Sequence, residues 1–290
     1  MRPAPFEYFA PRTVEGALDL LARHGGEAKL LAGGQSLVPL MNMRLVRPAV
    51  VVDLNRVAAL DEIREDAGRL RLGALVRQHA LERDARIAAS APLLAEAAPL
   101  IGHLQTRARG TVGGSLVHAD PAAELPACAI ALDAILHLRS PRAHRTCRAR
   151  EFFRGLLATT LEPDEMLVEI EIPPRPLPRT GHGFAEVARR HGDFALAGAA
   201  AVLALDGDGV CRHARLVILG AGDGPHLARA ADALVGERPT PARLAEVGRA
   251  AAGEIEALAD LHATPEYRRR VAAGLAGRAL GDAATRAEAA

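Results

Sequence analysis

Apolar residues fall into two rhythms along this chain, and the switches between them mark its elements. Behind Thr13, a hydroxyl suited to capping, Val14-Glu15-Gly16-Ala17-Leu18-Asp19-Leu20-Leu21 has its apolar residues at helical spacing, and His24-Gly25-Gly26 ends the run. Ala28-Lys29-Leu30-Leu31 and Val50-Val51-Val52-Asp53-Leu54 read as buried strands, the second rich in β-branched residues, with at most a short helix from Val38 to Arg44 between them. Ile63-Arg64-Glu65 and Leu70-Arg71-Leu72-Gly73 flank an Asp66-Ala67-Gly68-Arg69 turn, which predicts a hairpin. A short helix starts at Val76, and an alanine-rich one runs from Pro92 to Ile101, where Gly102 stops it. Residues 134–138 and 144–147 form a second hairpin, Glu151 opens a short helix, and Met166 to Ile172 reads as a strand.

Pro173-Pro174-Arg175-Pro176-Leu177-Pro178-Arg179 fits inside neither sheet nor helix, so it divides the chain. Beyond it, residues 183–188, 199–205 and 211–219 read as strands; the last two are joined by Asp206-Gly207-Asp208-Gly209, too tight for anything but an antiparallel pair. Residues 228–234, 242–255 and 265–280 read as amphipathic helices, and the tail after Gly281 is expected to fray. The second part is therefore a small antiparallel sheet backed by helices.

With 290 residues, 49% of them hydrophobic, the chain can bury a sizeable core and suits two domains better than one. A net charge of +1, with acids and bases interleaved, selects for neither nucleic acid nor an anionic membrane. Cys128, Cys147 and Cys211 are too widely spaced for a disulfide framework, a zinc site or an iron–sulfur site, and read as buried small hydrophobes. The N-terminal residues hold no apolar signal core and no run reaches membrane-spanning length, so a cytoplasmic protein is expected.

Two segments carry candidate chemistry: Ala32-Gly33-Gly34-Gln35-Ser36-Leu37 and Gly110-Thr111-Val112-Gly113-Gly114-Ser115-Leu116. Each pairs adjacent glycines with a following hydroxyl, so each can turn main-chain N–H groups towards an anion and let it approach closely. Two such loops suit one elongated phosphate ligand, a dinucleotide first. The order of strand, glycine loop, short helix and strand ending in Asp53 imitates a Rossmann unit, but the G-x-G-x-x-G spacing is missing and the helix is too short to cross over a parallel sheet. Asp53 reads instead as a turn residue at a strand end, capping the segment after it. After the second loop, Asp120-Pro121 reads as a helix start, with Glu124 over the same turn. These carboxylates either complement the positive end of that helix or touch the ligand, and the two loops favour ligand contact for at least one.

With those residues in place, the pattern resembles the FAD-binding medium subunit of the molybdenum hydroxylases, the family of carbon monoxide dehydrogenase and xanthine dehydrogenase, over nearly the whole chain. The resemblance rests on Ala32 to Leu37, on Thr111 to Leu116 with His118-Ala119-Asp120-Pro121 and Glu124-Leu125-Pro126, on the strand from Pro163 to Pro173, and on Glu186, Arg189, Asp193, Phe194 and Ala195. It implies an α+β protein: a two-subdomain FAD-binding domain of the PCMH type over residues 1–176, then a C-terminal domain of the carbon monoxide dehydrogenase flavoprotein type over 180–285, with a three-stranded antiparallel sheet and helices. It further implies that FAD is bound without a covalent link by Ala32, Gly33, Gly34, Gln35, Ser36, Leu37, Thr111, Gly113, Gly114 and Ser115. Main-chain amides would hold the pyrophosphate, and the Ser36 and Thr111 hydroxyls would add donors. Asp120, Glu124, Leu167 and Phe194 complete the implied set, Phe194 covering a flavin face. No residue is expected to act as acid or base, and no metal is expected in this chain. Molybdopterin and [2Fe–2S] clusters would sit on a large and a small partner, in a doubled three-subunit assembly. Electrons would pass from the clusters through FAD to NAD, quinone or oxygen.

Other readings remain open at this point. His118 could carry the flavin covalently, although a hydrogen-bonding loop role suits it better, and Gly220-Ala221-Gly222-Asp223-Gly224-Pro225 could be a third phosphate loop, although a plain connection fits its place after a strand. A self-contained flavin reductase or oxidase would keep the same site but need its own substrate pocket. A nucleotide-binding scaffold would keep the fold without the redox chemistry.

Overall fold

Leu30, Val50 and Val52 build the floor of the first sheet because they sit on short apolar strands with a helix to cover them. The computed structural model describes residues 2–290. β1 (Glu7–Phe9), β2 (Ala28–Leu31) and β3 (Val50–Asp53) form this sheet in the order β1-β3-β2, all parallel. α1 (Val14–His24) covers it with Val14, Ala17, Leu18 and Leu21; the Thr13 hydroxyl accepts from the Gly16 N–H at its start, and Gly25 at φ 54° ends it. The parallel pairing of β2 with β3 corrects the expectation that no crossover fits here. The crossover is the whole stretch 32–49, of which α2 (Leu37–Asn42) is only a part, and that is long enough.

The second sheet is antiparallel and five-stranded. It comprises β4 (Ile63–Asp66), β5 (Arg69–Gly73), β6 (Ile135–Arg139), β7 (His144–Arg148) and, after the small hairpin of β8 (Phe153–Gly155) and β9 (Ala158–Thr159), β10 (Met166–Ile172), in the order β4-β5-β10-β6-β7. Helices α3 (Ala85–Ser90), α4 (Pro92–Ala97), α5 (Leu104–Arg109), α6 (Val112–His118), α7 (Glu124–Ala131) and α8 (Ala149–Phe152) pack about it. Two expectations change here. The run from Pro92 tightens into a 3-10 turn at Ala98–Leu100, around Pro99. Asp120 caps no helix: its Oδ1 accepts from the Ala122 N–H in a turn, the Pro121 carbonyl is taken by the Gly220 N–H, and α7 begins only at Glu124.

Past the proline run, β11 (Arg179–Ala188), β12 (Ala195–Leu205), β13 (Cys211–Leu219) and the two-residue β14 (His226–Leu227) make an antiparallel sheet, one short strand more than expected. Its two faces bury different neighbours, as the period of a strand dictates. Ala200, Val202, Val217 and Leu219 join the core of the first part, while Ala199, Ala201, Leu203 and Ile218 pack on α9 (Pro241–Gly253) and α10 (Pro265–Ala289). Residues 229–234 are a 3-10 helix rather than an amphipathic one. The tail does not fray: Ala283, Ala284 and Ala287 are buried, and Arg286 pairs with Glu96 at 2.6 Å. Cys147 is only half-buried, unlike Cys128 and Cys211.

Candidate functional site

β2 ends at Leu31 and releases Ala32 to Ser36 before α2 begins. Among the described residues nothing accepts from the main-chain N–H groups of Gly33, Gly34, Gln35 or Ser36. Gly34 sits at φ 74°, which a side chain would strain. At Gly33 a β-carbon would overlap the Arg109 carbonyl oxygen and lie 2.8 Å from Gly110 Cα, so glycine is what lets the two glycine segments touch.

A polar network that sequence reasoning missed ties them together. Arg77 donates through Nη1 to the Arg109 carbonyl at 2.5 Å and through Nη2 to Asn55 Oδ1 at 2.6 Å; Asn55 Nδ2 in turn donates to the Ala32 carbonyl at 2.9 Å. Asp53 anchors Asn55, accepting from its main-chain N–H at 2.9 Å, and also accepts from the Tyr8 hydroxyl at 2.5 Å. Burial alone would raise Asp53, but those hydrogen bonds outweigh it and hold the carboxyl below its usual range. The one sequence signal was Asp53-x-Asn55 at a strand end, a local turn pattern; Arg77 gave none. A cleft of about 330 Å³ opens here, lined by Ala32, Gly33, Gly34, Gln35, Asn55 and Arg109. Arg109 also lines it, and its side chain forms no ion pair with a carboxylate among the described residues.

The second segment departs from the expected loop. Thr111 caps α6, its Oγ1 accepting from the Gly114 N–H at 3.1 Å, so Gly113 and Gly114 lie in a helical first turn. The N–H groups of Gly113 and Ser115 donate to the Ala74 and Thr111 carbonyls. Gly113 instead serves packing, since a β-carbon there would lie 2.6 Å from that of Ala74. In the second segment the amides of Val112, Gly113 and Ser115 are thus taken by the Val76, Ala74 and Thr111 carbonyls and that of Gly114 by the Thr111 hydroxyl, which leaves the Thr111 N–H without an acceptor among the described residues. What this segment can offer is the Thr111 N–H and hydroxyl hydrogen and the bare face of Gly114, 3.7 Å from Ala32 Cβ when measured from a β-carbon.

The remaining sequence-chosen residues are spread along this axis. Ser36 and Leu37 lie at the start of α2. Leu167 is buried at 3% exposure on β10, next to Val168, whose carbonyl accepts from Ala74 below α6. Asp120 and Glu124 lie past the far end of α6. Phe194 is 72% exposed on the β11–β12 loop, which leans on His103 through Gly192. Gly220 to Gly224 is a connection, with Gly220 and Ala221 bonded to Pro121, Arg268 and Leu258. His137, Glu169 and Glu171 bring ligand-type atoms within 4.8 Å of one another, but Arg64, Arg69 and Arg71 already hold both carboxylates, making an ion-pair network.

Free N–H donors, a close glycine approach and one unpaired cation fit a phosphate-bearing ligand. The comparisons name it. Residues 4–175 match the family described as the FAD binding domain in molybdopterin dehydrogenase, and residues 182–283 match the CO dehydrogenase flavoprotein C-terminal domain. The chain is 39% identical over 288 residues to the 6-hydroxypseudooxynicotine dehydrogenase complex subunit alpha of Paenarthrobacter nicotinovorans, covering 99% of this chain and 97% of that one. It is 38% identical to the caffeine dehydrogenase subunit beta of Pseudomonas sp. (strain CBB1), with the same coverage. It superposes on carbon monoxide dehydrogenase from Hydrogenophaga pseudoflava with a TM-score of 0.95 at 38% identity, covering 99% of each chain. The chain thus belongs to the FAD-binding medium subunits of the molybdenum hydroxylase family, flavoprotein components of multi-subunit oxidoreductases.

Proposed function

We propose that this chain carries FAD, without a covalent link, as the electron-transfer subunit of a molybdenum hydroxylase. It would receive electrons from the [2Fe–2S] clusters of a small partner and pass them to an external acceptor such as NAD, quinone or oxygen. A large molybdopterin-bearing partner would hold the organic substrate, and two such three-subunit sets would associate. The observation that carries the reading is the row of unbonded N–H groups from Gly33 to Ser36 at a cleft that Arg109, in no ion pair, also lines. Bound there, FAD supplies a centre that exchanges two electrons with one partner and single electrons with another.

The chain's own residues then have separable tasks. The amides of Gly33 to Ser36 donate to pyrophosphate oxygens, and Arg109 offsets their charge. Asn55 and Arg77 keep the first segment pressed on the second, so the donors are held in place before the ligand arrives. The Thr111 hydroxyl adds a donor at the head of α6. Phe194, exposed on its loop, is free to cover a ring face.

An absorption spectrum of the purified complex, followed by acid precipitation, tests this reading. A flavin spectrum with FAD released to the supernatant, and bleaching that depends on the small partner, is the expected result. A colourless chain that also fails to take up added FAD would return the scaffold reading, and colour retained in the pellet would return His118 as a covalent anchor.

A further inference from the structure

Two opposite charges beside the cleft, Asp53 and Arg77, form no direct ion pair among the described residues, and both end on the same amide. The Asp53 carboxylate at the end of β3 accepts from the Asn55 N–H at 2.9 Å, from Asn55 Nδ2 at 2.5 Å and from the hydroxyl of Tyr8 on β1 at 2.5 Å. The Arg77 guanidinium donates to Asn55 Oδ1 at 2.6 Å and to the Arg109 carbonyl at 2.5 Å. Asn55 is thereby filled: its oxygen serves Arg77, one Nδ2 hydrogen serves Asp53 and the other serves the Ala32 carbonyl at 2.9 Å. Its orientation is fixed, since turning the amide over would set its oxygen against a carboxylate and its NH2 against a guanidinium.

This chain of bonds crosses between two parts of the molecule where the cleft opens. Tyr8, Asp53 and Asn55 belong to the three-stranded sheet and its strand ends, whereas Arg77 and Arg109 belong to the part built on the five-stranded sheet. Among the described residues, the side-chain hydrogen bonds joining residues 2–57 to 58–176 are Arg77 to Asn55, at the cleft, and Arg139 to Glu15 on exposed surface. The first glycine segment depends on the former. Its Gly34 and Ser36 carbonyls accept from α2 and its Gly33 carbonyl from Gln35, all local bonds, so the Asn55 donor on Ala32 is the bond that ties it to a more distant residue. The Arg109 carbonyl that bounds Gly33 on one side is the one Arg77 holds. Tyr8 and Arg77 stand outside the lining of the cleft, so neither is placed to touch a ligand in it.

Resting on the FAD reading above, we propose that Tyr8, Asp53, Asn55 and Arg77 act as one latch that holds the cleft in its binding shape before FAD arrives, which makes Tyr8 a positioning residue for a cofactor it does not touch. The Tyr8 hydroxyl fixes the Asp53 carboxylate, Asp53 fixes the Asn55 amide, and that amide holds Ala32 against Arg77 and Arg109. With a link removed, the first segment leaves this position for part of the time, and FAD meets a competent cleft less often. Association then slows by the fraction lost, while dissociation, which depends on contacts made once FAD is in place, changes little. Loss of a residue that touches the ligand directly raises dissociation instead.

The test rebinds FAD to the purified chain after its flavin is removed, following flavin fluorescence in stopped flow for the wild type, Tyr8→Phe, Arg77→Met and the double variant. Wild-type chain that takes up no FAD overturns the underlying reading, and the latch falls with it; the remaining outcomes bear on the latch alone. With FAD binding in the wild type, association is expected to slow about threefold in Tyr8→Phe, as for one lost hydrogen bond, and about tenfold in Arg77→Met, with dissociation near the wild-type rate in both. Because the four residues act in series, the double variant is expected to match Arg77→Met rather than multiply the two losses. Tyr8→Phe keeps the ring at a residue that is 54% exposed, so it carries the test even if Arg77→Met does not fold. Wild-type association in Tyr8→Phe, a slowing that multiplies in the double variant, or losses confined to dissociation would overturn the proposal.

Discussion

The carbonyl oxygen of Arg109 leaves no room for a β-carbon on residue 33, and this one contact ties the site to the fold. Gly33→Val is accordingly expected to release FAD and to lower the melting temperature together, read by flavin content and by calorimetry. Gly274 on α10 is the contrasting case, since a β-carbon there would meet nothing. Gly274→Ala should leave FAD untouched and stabilise the chain by up to about 1 kcal/mol through helix propensity alone. Arg109 tests the electrostatic half of the site. Its carbonyl, not its side chain, holds Arg77, so Arg109→Gln should preserve the cleft, weaken FAD roughly tenfold at low salt and flatten the salt dependence of binding, as measured by fluorescence titration. An unchanged affinity would remove Arg109 from the site. At this scale the adjacent glycines were legible because local sequence shows them. Arg77 was not, because its two acceptors come from the strand end after β3 and the end of α5.

Element boundaries followed the local code wherever the chain's own neighbours satisfied it, as at Thr13, Thr240 and Thr264, each of which caps the helix after it. They departed where a distant group intervened. Asp120-Pro121 carries a helix-start pattern, yet Gly220 claims the Pro121 carbonyl and the helix waits until Glu124. The end of α10 reads as a fraying tail, yet its alanines find β11 and its Arg286 finds Glu96. That contact also sets a pH response. Burial, then the charges of Arg286 and Arg175, push His182 down to about 4; Glu96 at 3.5 Å does not reverse this because Arg286 already holds it. A base lowered on folding gives stability that is complete above about pH 6.5 and lost as pH falls towards about 4. Thermal denaturation across that window should show the loss in the wild type and a smaller one in His182→Gln.

Across the whole molecule, the sheet of β11 to β14 is buried on both faces, one against α9 and α10 and the other against the core of the first part. With core residues shared in this way, residues 2–290 are expected to unfold in one calorimetric transition, with agreeing calorimetric and van't Hoff enthalpies. Two separated transitions would show that the parts are independent. The seam also carries the opposite pH response from His182. Glu124 and Glu186 are raised above the usual value of 4.5, so the stability linked to their protonation is present below about 4.5 and lost as pH rises through about 7 and 8. Stability should therefore fall on the alkaline side of neutrality, and Glu186→Gln should abolish much of that fall.

Local sequence was enough to set the α+β class, the longer strands and most helices, and the two glycine segments. Each of these depends on periodicity, capping or turn chemistry within a few residues. Tertiary structure decided the rest. It made β2 and β3 parallel neighbours across a mostly irregular crossover, and turned the second glycine segment into the head of a helix with its Gly113 and Ser115 amides bonded to Ala74 and Thr111. It also brought Arg109 to the cleft and enclosed the Glu124 and Glu186 carboxyls with no ion pair for either. The physical reason is common to all four. A main-chain donor or a buried charge is committed by whichever partner the folded chain brings within reach, and here those partners lie far away in sequence.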